Sequence, residues 1–227
     1  TQNRGGTPGA PDARHSGKTV KAYIYAGGAV DAGLIDDRPE PGDLTVAADA
    51  GWRNAQALGV TPAVLVGDFD SLGEPVVPQG TEIVRVPAEK DDTDTQLAVR
   101  VALDRGAAEI ILIAGLGGRV DHTLSTLGIL EMLNKTGRRG MVTDGKNRVR
   151  LLQNGSLLLA RDVRYRYLSL LTLSEKAKGV SLEGCKYPLH GATLTRTRQY
   201  AVSNEITGNA ALIAVRRGSL FVVESAD

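Results

Sequence analysis

Short apolar runs alternate with amphipathic segments along the first two thirds of the chain. The runs predict β-strands at residues 20–26, 45–48, 63–66, 83–86 and 110–114. Apolar residues at helical spacing predict helices between them, at residues 51–58, 93–104 and 122–133. Continuously apolar strands that alternate with helices indicate a parallel sheet covered on both faces. We therefore expect an α/β fold that binds its ligands at the carboxyl ends of the strands.

The pattern changes near residue 147, where helical spacing disappears. Short strand-like runs separated by Gly, Pro and Asn turns follow, at residues 149–152, 157–159, 165–173, 179–182, 192–195, 211–215 and 219–223. Such a series predicts an all-β sandwich or barrel. We predict a disordered leader at residues 1–18, an α/β domain at 19–146 and a β domain at 147–227, with the boundary near residues 144–148.

Composition narrows the class of protein without identifying its function. The chain has 227 residues, 42% of them hydrophobic, and a single cysteine, Cys185. It can bury a sizeable core but cannot form an internal disulfide, and no apolar run is long enough to cross a bilayer. We expect a cytoplasmic protein. The net charge of +1 gives no reason to expect a nucleic acid or a membrane as partner.

Acidic residues follow the predicted parallel strands. Asp49 ends one strand, and Asp68 and Asp70 end the next, two residues apart and therefore pointing the same way. The segments Lys90-Asp91-Asp92-Thr93-Asp94 and Arg119-Val120-Asp121-His122 follow two further strands. Crowded carboxylates repel one another unless a cation neutralises them, and Mg²⁺ prefers oxygen ligands. The pattern favours bound Mg²⁺, and Mg²⁺ in turn favours a phosphate-bearing nucleotide.

Each acidic motif also has a simpler structural interpretation. Residues 91–94 fit a helix cap, with acids favoured by the helix dipole. Asp49 and Asp68 fit strand-end turns, and His122 by itself fits a hydrogen-bonded or exposed histidine. The run Gly115-Leu116-Gly117-Gly118 matches only the first part of a dinucleotide fingerprint. The combination of motifs, and no single one of them, indicates a functional site.

That combination resembles the thiamine pyrophosphokinase family. The matching elements occur in family order: Ala48-Asp49-Ala50-Gly51, Gly67-Asp68-Phe69-Asp70-Ser71, Lys90-Asp91-Asp92-Thr93-Asp94 and Gly117-Gly118-Arg119-Val120-Asp121-His122. In the second part, Gly184-Cys185-Lys186-Tyr187-Pro188-Leu189 and Ser203-Asn204-Glu205 are similar to family signatures. The resemblance runs from about Val20 to Val223.

The resemblance implies an α/β nucleotide-binding domain followed by a β-sandwich, in a homodimer whose thiamine sites lie between subunits. It implies that ATP and thiamine are the substrates. The metal and phosphate ligands that it implies are Asp49, Asp68, Asp70 and Asp94, with Asp91 as a further member. Lys90 and Arg119 would neutralise the phosphates, and Gly28, Gly118, Asp121 and His122 would shape the nucleotide site. Ser203 and Asn204 would contact thiamine, with Phe221 as a weak substitute for a stacking aromatic.

Other functional classes remain open on the sequence alone. A metal-dependent nucleotide phosphohydrolase would need the same acids but would transfer to water. Another nucleotide-using transferase would keep the first domain and accept a different alcohol. A noncatalytic thiamine- or nucleotide-binding module would bind without turnover. The Arg-rich segment at residues 161–166 is interpreted as the solvated face of a strand.

Overall fold

The computed structural model describes residues 20–69, 77–86 and 92–227. They form eleven strands, three helices and a short 3₁₀ turn at Ala32–Leu34. The strands are β1 Lys21–Tyr25, β2 Leu44–Ala48, β3 Val64–Gly67, β4 Glu82–Arg85, β5 Glu109–Ile113, β6 Arg139–Thr143, β7 Asn147–Ala160, β8 Tyr167–Thr172, β9 Lys176–Glu183, β10 Leu189–Thr195 and β11 Ala210–Ser225. The helices are α1 Gly51–Ala57, α2 Asp94–Asp104 and α3 Val120–Lys135.

The first six strands pair in parallel, in the order β4-β3-β2-β1-β5-β6. Four of them, β1, β2, β3 and β5, are almost entirely buried, which explains their unbroken apolar sequences. One face packs against α2 and α3 through Val99 and Leu130, and the opposite face receives Trp52 of α1. The five predicted strands and three predicted helices of this part are all present, with ends within two residues of the prediction.

The remaining strands are antiparallel, so the sheet as a whole is mixed. β6 pairs with β7 through residues 141–143 and 148–150, and this pairing joins the two parts into one hydrogen-bonded sheet. The direction of pairing changes at the predicted boundary, and the β-rich C-terminal part is confirmed. The division into separate domains stays a prediction, because hydrogen bonding does not stop there.

Two predictions of strand boundaries were wrong, and β6 was not predicted at all. Residues 149–152 and 157–159 belong to the single strand β7, and residues 211–215 and 219–223 belong to β11. The two long strands pair along their length and are interrupted by a bulge opposite Asn154. Asn154 has a φ of 45° and its Oδ1 accepts a hydrogen bond from the amide of Gly218 at 2.9 Å. The turn-like residues therefore form a bulge that bends the strands.

A second core lies among the antiparallel strands and includes Leu168, Leu182, Leu194 and Ile213. Residues 161–166 lie between β7 and β8 and outside both strands. The interpretation of this Arg-rich segment as a strand face was therefore wrong. Within the described part of the chain, the helices are all too short or too polar to span a membrane.

Candidate functional site

A cleft of about 550 Å³ opens at the carboxyl ends of the parallel strands. It is formed by the loops that follow β1, β2 and β5 and by the beginnings of α2 and α3. The lining residues are Ala26, Gly27, Gly28, Ala29, Ala48, Asp49, Ala50, Thr93, Asp94, Thr95, Ala114, Gly115, Gly117, Gly118, Arg119, His122 and Thr126. Six of the residues predicted from the sequence thus meet in one cleft: Gly28, Asp49, Asp94, Gly118, Arg119 and His122.

The loop after β1 forms one wall of the cleft and is held tightly against β5. The amide of Gly28 donates a hydrogen bond to the carbonyl oxygen of Ala114 at 3.1 Å. A Cβ atom on Gly28 would stand 2.3 Å from that oxygen, so a larger residue does not fit without movement. From α1, Asn54 donates to the carbonyl oxygens of Ala26 at 2.7 Å and Gly28 at 2.9 Å. Asn54 was not predicted to contribute, because nothing in a short polar helix indicates this contact.

Three non-glycine residues just beyond the strands have a left-handed backbone. Asp49 follows β2 with a φ of 42°, Phe69 follows β3 with 63°, and Ala114 follows β5 with 61°. Such conformations are costly for residues with a Cβ and concentrate at functional sites. Gly117 and Gly118, further along the β5–α3 loop, also have positive φ values, of 79° and 67°. The chain therefore turns sharply after β2, β3 and β5, and the turns after β2 and β5 line the cleft.

The N-terminus of α2 faces the cleft and has a complete capping box. The Thr93 hydroxyl accepts a hydrogen bond from the Gln96 amide at 3.3 Å, and the Gln96 side chain accepts one from the Thr93 amide at 3.0 Å. Asp92 forms an ion pair with Arg100 at 2.8 Å. Because Thr93 supplies the cap, Asp94 is not needed for capping and contributes a carboxylate to the cleft wall.

The N-terminus of α3 carries an exposed ion pair at the mouth of the cleft. Arg119 contacts Asp121 in bidentate fashion, at 3.1 Å from Nε to Oδ1 and 2.5 Å from Nη2 to Oδ2. The hydrogen bond from Arg119 lowers the pKa of Asp121 to about 2. Asp121 Oδ1 also accepts the amide of His122 at 3.0 Å. Both charged side chains are mostly exposed, and exposed pairs are weak, so Arg119 can exchange Asp121 for another anion at little cost.

The predicted acids divide into three groups. Asp49 and Asp94 line the cleft, whereas Asp68, directly after β3, is half-buried and is not part of its wall. The acids Asp70 and Asp91 lie outside the described residues, as does the predicted phosphate contact Lys90. Among residues 20–69, 77–86 and 92–227, no three His, Cys, Asp or Glu side chains are grouped to hold a metal ion. Two cleft carboxylates are nevertheless sufficient protein ligands for Mg²⁺ when phosphates and water complete the shell.

The predicted thiamine residues lie in the antiparallel part. Asn204 is buried, and its amide oxygen accepts the backbone amides of Tyr187 at 3.0 Å and Glu205 at 2.9 Å. Its Nδ2 donates to the Tyr187 carbonyl at 2.7 Å. Ser203 is exposed, with a φ of 54° and its amide bonded to Ser169 Oγ at 3.0 Å. Asn204 therefore fixes the neighbouring loop, and Ser203 is presented to solvent.

Two exposed aromatic side chains of the antiparallel part had no predicted role in stacking. Tyr187 is 61% exposed and its backbone is held by Asn204, and Tyr200 is 47% exposed. Phe221, the weak substitute for a stacking aromatic, is partly buried and packs against the core of the parallel part. The exposure of Tyr187 makes it a better candidate for stacking than Phe221.

Comparison with known proteins gives matches over most of the chain. Residues 40–142 match the family model "Thiamin pyrophosphokinase, catalytic domain", and residues 156–220 match "Thiamin pyrophosphokinase, vitamin B1 binding domain". The chain is 31% identical to thiamine pyrophosphokinase of Bacillus subtilis over 189 residues. This alignment covers 81% of this chain and 88% of the relative. The chain is 26% identical over 171 residues to thiamin pyrophosphokinase 1 of Caenorhabditis elegans, covering 72% and 70%.

Solved structures agree with these matches. The crystal structure of thiamine pyrophosphokinase from Bacillus subtilis superposes with a TM-score of 0.79 at 26% identity, over 91% of this chain and 99% of that one. The thiamin pyrophosphokinase from Geobacillus thermodenitrificans superposes with a TM-score of 0.78 at 27% identity, over 92% and 98%. The similarity therefore extends through both the parallel and the antiparallel parts.

Proposed function

Because the chain belongs to the thiamine pyrophosphokinase family, we propose that it transfers a diphosphate from ATP to the hydroxyl of thiamine, giving thiamine diphosphate and AMP. One observation carries this proposal above the alternatives. Loops from three parallel strands and the N-termini of two helices enclose a cleft that contains Asp49, Asp94 and residues 117–119, which belong to three of the motifs that resemble those of the family. A separate part of the chain matches the vitamin B1 binding model.

The cleft suits the triphosphate of ATP. The N-termini of α2 and α3 both border it, and helix N-termini attract anions through their free amides and dipoles. Gly118 has no side chain, so phosphate oxygens can approach its backbone closely, and Gly28 lets the loop after β1 pack against Ala114 at the cleft wall. Arg119 at the mouth can leave Asp121 and bind the phosphates through its planar guanidinium.

The residues present also fit Mg²⁺. Asp49 and Asp94 offer hard carboxylate oxygens from two different elements of the cleft wall, and Asp68 follows the strand adjacent to β2. Held by Asp49 and Asp94, Mg²⁺ would neutralise the negative charge that develops on the phosphates during transfer. Asp70, Asp91 and Lys90 remain predicted members of this site.

The chemistry is an in-line displacement at the β-phosphorus. The thiamine hydroxyl oxygen forms a bond to that phosphorus, the bond to the bridging oxygen between the α- and β-phosphates breaks, and AMP leaves with the electron pair. A carboxylate such as Asp70 or Asp94 would accept the hydroxyl proton. The protein's contribution is to align the two substrates and to stabilise charge, as in other phosphoryl transfers.

A homodimer would complete the site. The residues that line the cleft all come from residues 26–126, whereas Ser203 and Tyr187 belong to the antiparallel part. A second copy would bring its thiamine-binding part to the cleft. Leu158 and Leu212 support this proposal, because they are cross-strand neighbours on β7 and β11 and are 71% and 41% exposed. We further propose a cytoplasmic location and no nucleic acid or membrane partner.

Product analysis tests the proposed function. The protein is incubated with ATP, Mg²⁺ and thiamine, each omitted in turn, and nucleotides and thiamine species are separated by chromatography. AMP and thiamine diphosphate should appear in equal amounts and only in the complete mixture. ADP or free phosphate formed without thiamine would favour a phosphohydrolase, and thiamine binding without any product would favour a binding module.

A further inference from the structure

We propose that Arg148 and Arg164, which lie in and just after β7, position the nucleotide-binding loop of the parallel part. This inference rests on the proposed function and identifies residues outside the cleft that determine nucleotide affinity. The loop concerned is residues 26–38, called here the β1 loop. Its first residues, 26–29, line the cleft, and its last residues contact the two arginines.

The cleft end of the β1 loop is fixed by the parallel part alone. Ala26 and Gly28 donate their amides to Ile113 at 2.9 Å and Ala114 at 3.1 Å. Asn54 binds the carbonyl oxygens on the same stretch. Beyond Gly28 the loop still packs Ile35 into the apolar cluster that contains Trp52 and Ile113, while its polar groups make contacts outside the parallel strands.

Two carboxylates and one carbonyl oxygen near the far end of the β1 loop are bound by arginines of the antiparallel part, and the loop's own Arg38 binds the Leu58 carbonyl oxygen at 2.8 Å. Arg148 Nη2 lies 3.3 Å from Asp37 Oδ2. Arg164 Nη1 donates to the carbonyl oxygen of Leu34 at 3.3 Å and also forms an ion pair with Asp36. The 3₁₀ turn and the residues after it are thus attached to β7 and to the β7–β8 turn.

The middle of the β1 loop is attached to the β6–β7 turn. The amide of Asp31 donates to the carbonyl oxygen of Asp144 at 2.8 Å. Gly145 packs so closely that a Cβ atom there would stand 2.6 Å from the carbonyl oxygen of Asp31. Contacts beyond the parallel strands therefore hold the loop at three successive points after it leaves the cleft.

The two arginines are themselves held rigidly. Asp162 Oδ2 lies 2.5 Å from Arg164 Nη2 and 3.5 Å from Arg148 Nη1. The guanidinium carbons of Arg148 and Arg164 lie 4.6 Å and 5.7 Å from the centre of the Tyr165 ring. Arg148 Nη1 also lies 3.8 Å from Oε2 of the buried Glu224. The Arg164 contacts lower the pKa of Asp162 to about 2. A network so connected has a fixed geometry and can hold the loop in one position.

The inferred role is positioning and not catalysis. Neither arginine lines the cleft, and neither contacts Asp49, Asp94 or Arg119 among the described ion pairs and hydrogen bonds. Loosening the β1 loop should therefore weaken nucleotide binding and leave the transfer step intact once ATP is bound. We expect KM for ATP and Kd for a non-hydrolysable ATP analogue to rise, with kcat nearly unchanged.

The test uses variants on both sides of the contact, each with a matched control. Asp37→Asn removes the loop's partner for Arg148, and Asp227→Asn is its control because Asp227 pairs with Arg166 outside the loop. Arg164→Met is compared with Arg166→Met in the same way. Arg148→Met is avoided, since it would leave the buried Glu224 with one cation fewer and risk unfolding. Full-length variants are measured well below their melting temperatures.

Asp37→Asn and Arg164→Met should each raise KM and Kd about tenfold, equivalent to about 1.4 kcal/mol, with kcat within twofold. Hydrogen exchange should speed up at residues 29–37 and stay unchanged in β5, and the control variants should behave as wild type. An unchanged Kd for the ATP analogue together with unchanged hydrogen exchange in the β1 loop would overturn the inference. A decrease in kcat alone would also overturn it. If wild type forms no thiamine diphosphate, the proposed function fails, but analogue binding and exchange still decide the role of the loop contacts. Failure of wild type to bind the analogue would overturn both.

Discussion

The substitution Gly28→Ala tests whether the β1 loop forms the nucleotide wall of the cleft. The added Cβ would lie 2.3 Å from the Ala114 carbonyl oxygen and 3.3 Å from that of Leu116, whereas ordinary contacts begin near 3.4 Å. The loop must therefore move by about 1 Å and stretch the hydrogen bond from the Gly28 amide. A displacement of that size at a reacting site costs about 100-fold in rate, and overpacking costs about 1–3 kcal/mol of stability.

The assay combines steady-state kinetics with thermal unfolding followed by circular dichroism. We expect kcat/KM for ATP to fall about 100-fold, while the variant still unfolds cooperatively at a lower temperature. Gly128→Ala is the matched control, because Gly128 lies on the exposed side of α3, where an added Cβ would have no neighbouring atom within 4 Å. That control should keep full activity and gain up to about 1 kcal/mol of stability. A folded Gly28→Ala variant with kcat/KM within twofold of wild type would refute the proposal that the β1 loop forms the nucleotide-binding wall of the cleft.

Three further predictions concern Asp94, Asn204 and Asp162. Asp94→Asn should lower kcat by about 100-fold or more while the variant still unfolds cooperatively, because Thr93 supplies the α2 cap; retained turnover would remove Asp94 from the mechanism. Asn204→Ala should destabilise the fold by about 1–3 kcal/mol and raise KM for thiamine more than KM for ATP, since it releases the Tyr187 backbone. An equal rise in the two KM values would argue against a thiamine-binding role for the loop that carries Tyr187. The pKa of Asp162 is lowered to about 2 from 3.8 by Arg164, so its stabilising contribution is present above about pH 4 and is lost as the pH falls toward 2. The free energy of unfolding should therefore depend less on pH in that range in Asp162→Asn than in wild type. The same pH dependence in both proteins would contradict a lowered pKa for Asp162.

Strand and helix positions in the parallel part could be predicted because local pattern and burial agree there. The strands β1, β2, β3 and β5 are apolar throughout and buried on both faces. β6 escaped prediction because Arg139 and Gly140 begin it, and Gly140 is required by close packing against Leu130 and Leu133. That requirement arises from tertiary contact, which no local pattern contains.

The strands of the antiparallel part were harder to predict because bulges and turns favour the same residue types. Asn154 adopts a left-handed conformation in mid-strand and binds Gly218 across the pair. Asn and Gly are also typical of turns, so the sequence pattern could not distinguish a bent strand from two strands.

The candidate site was predicted where strand ends deliver residues to one edge, as for Asp49 and Asp94. Asn54, Tyr187 and Arg164 were missed as contributors, because their roles depend on contacts with distant backbone or on exposure in the folded chain. A charged or polar residue in a short segment has no local signal for such contacts. Residues at strand ends could thus be predicted to meet in one cleft, whereas the residues that support them could not.

Transfer of an intact diphosphate is the central claim, and ATP labelled with ³²P at the β-phosphate tests it most directly. The protein is incubated with this ATP, Mg²⁺ and thiamine, and the label is followed through the separated products. The proposed reaction predicts that the label appears in thiamine diphosphate and that the AMP formed is unlabelled. Label in ADP with thiamine monophosphate formed alongside, or label in free phosphate or diphosphate without thiamine product, would contradict it.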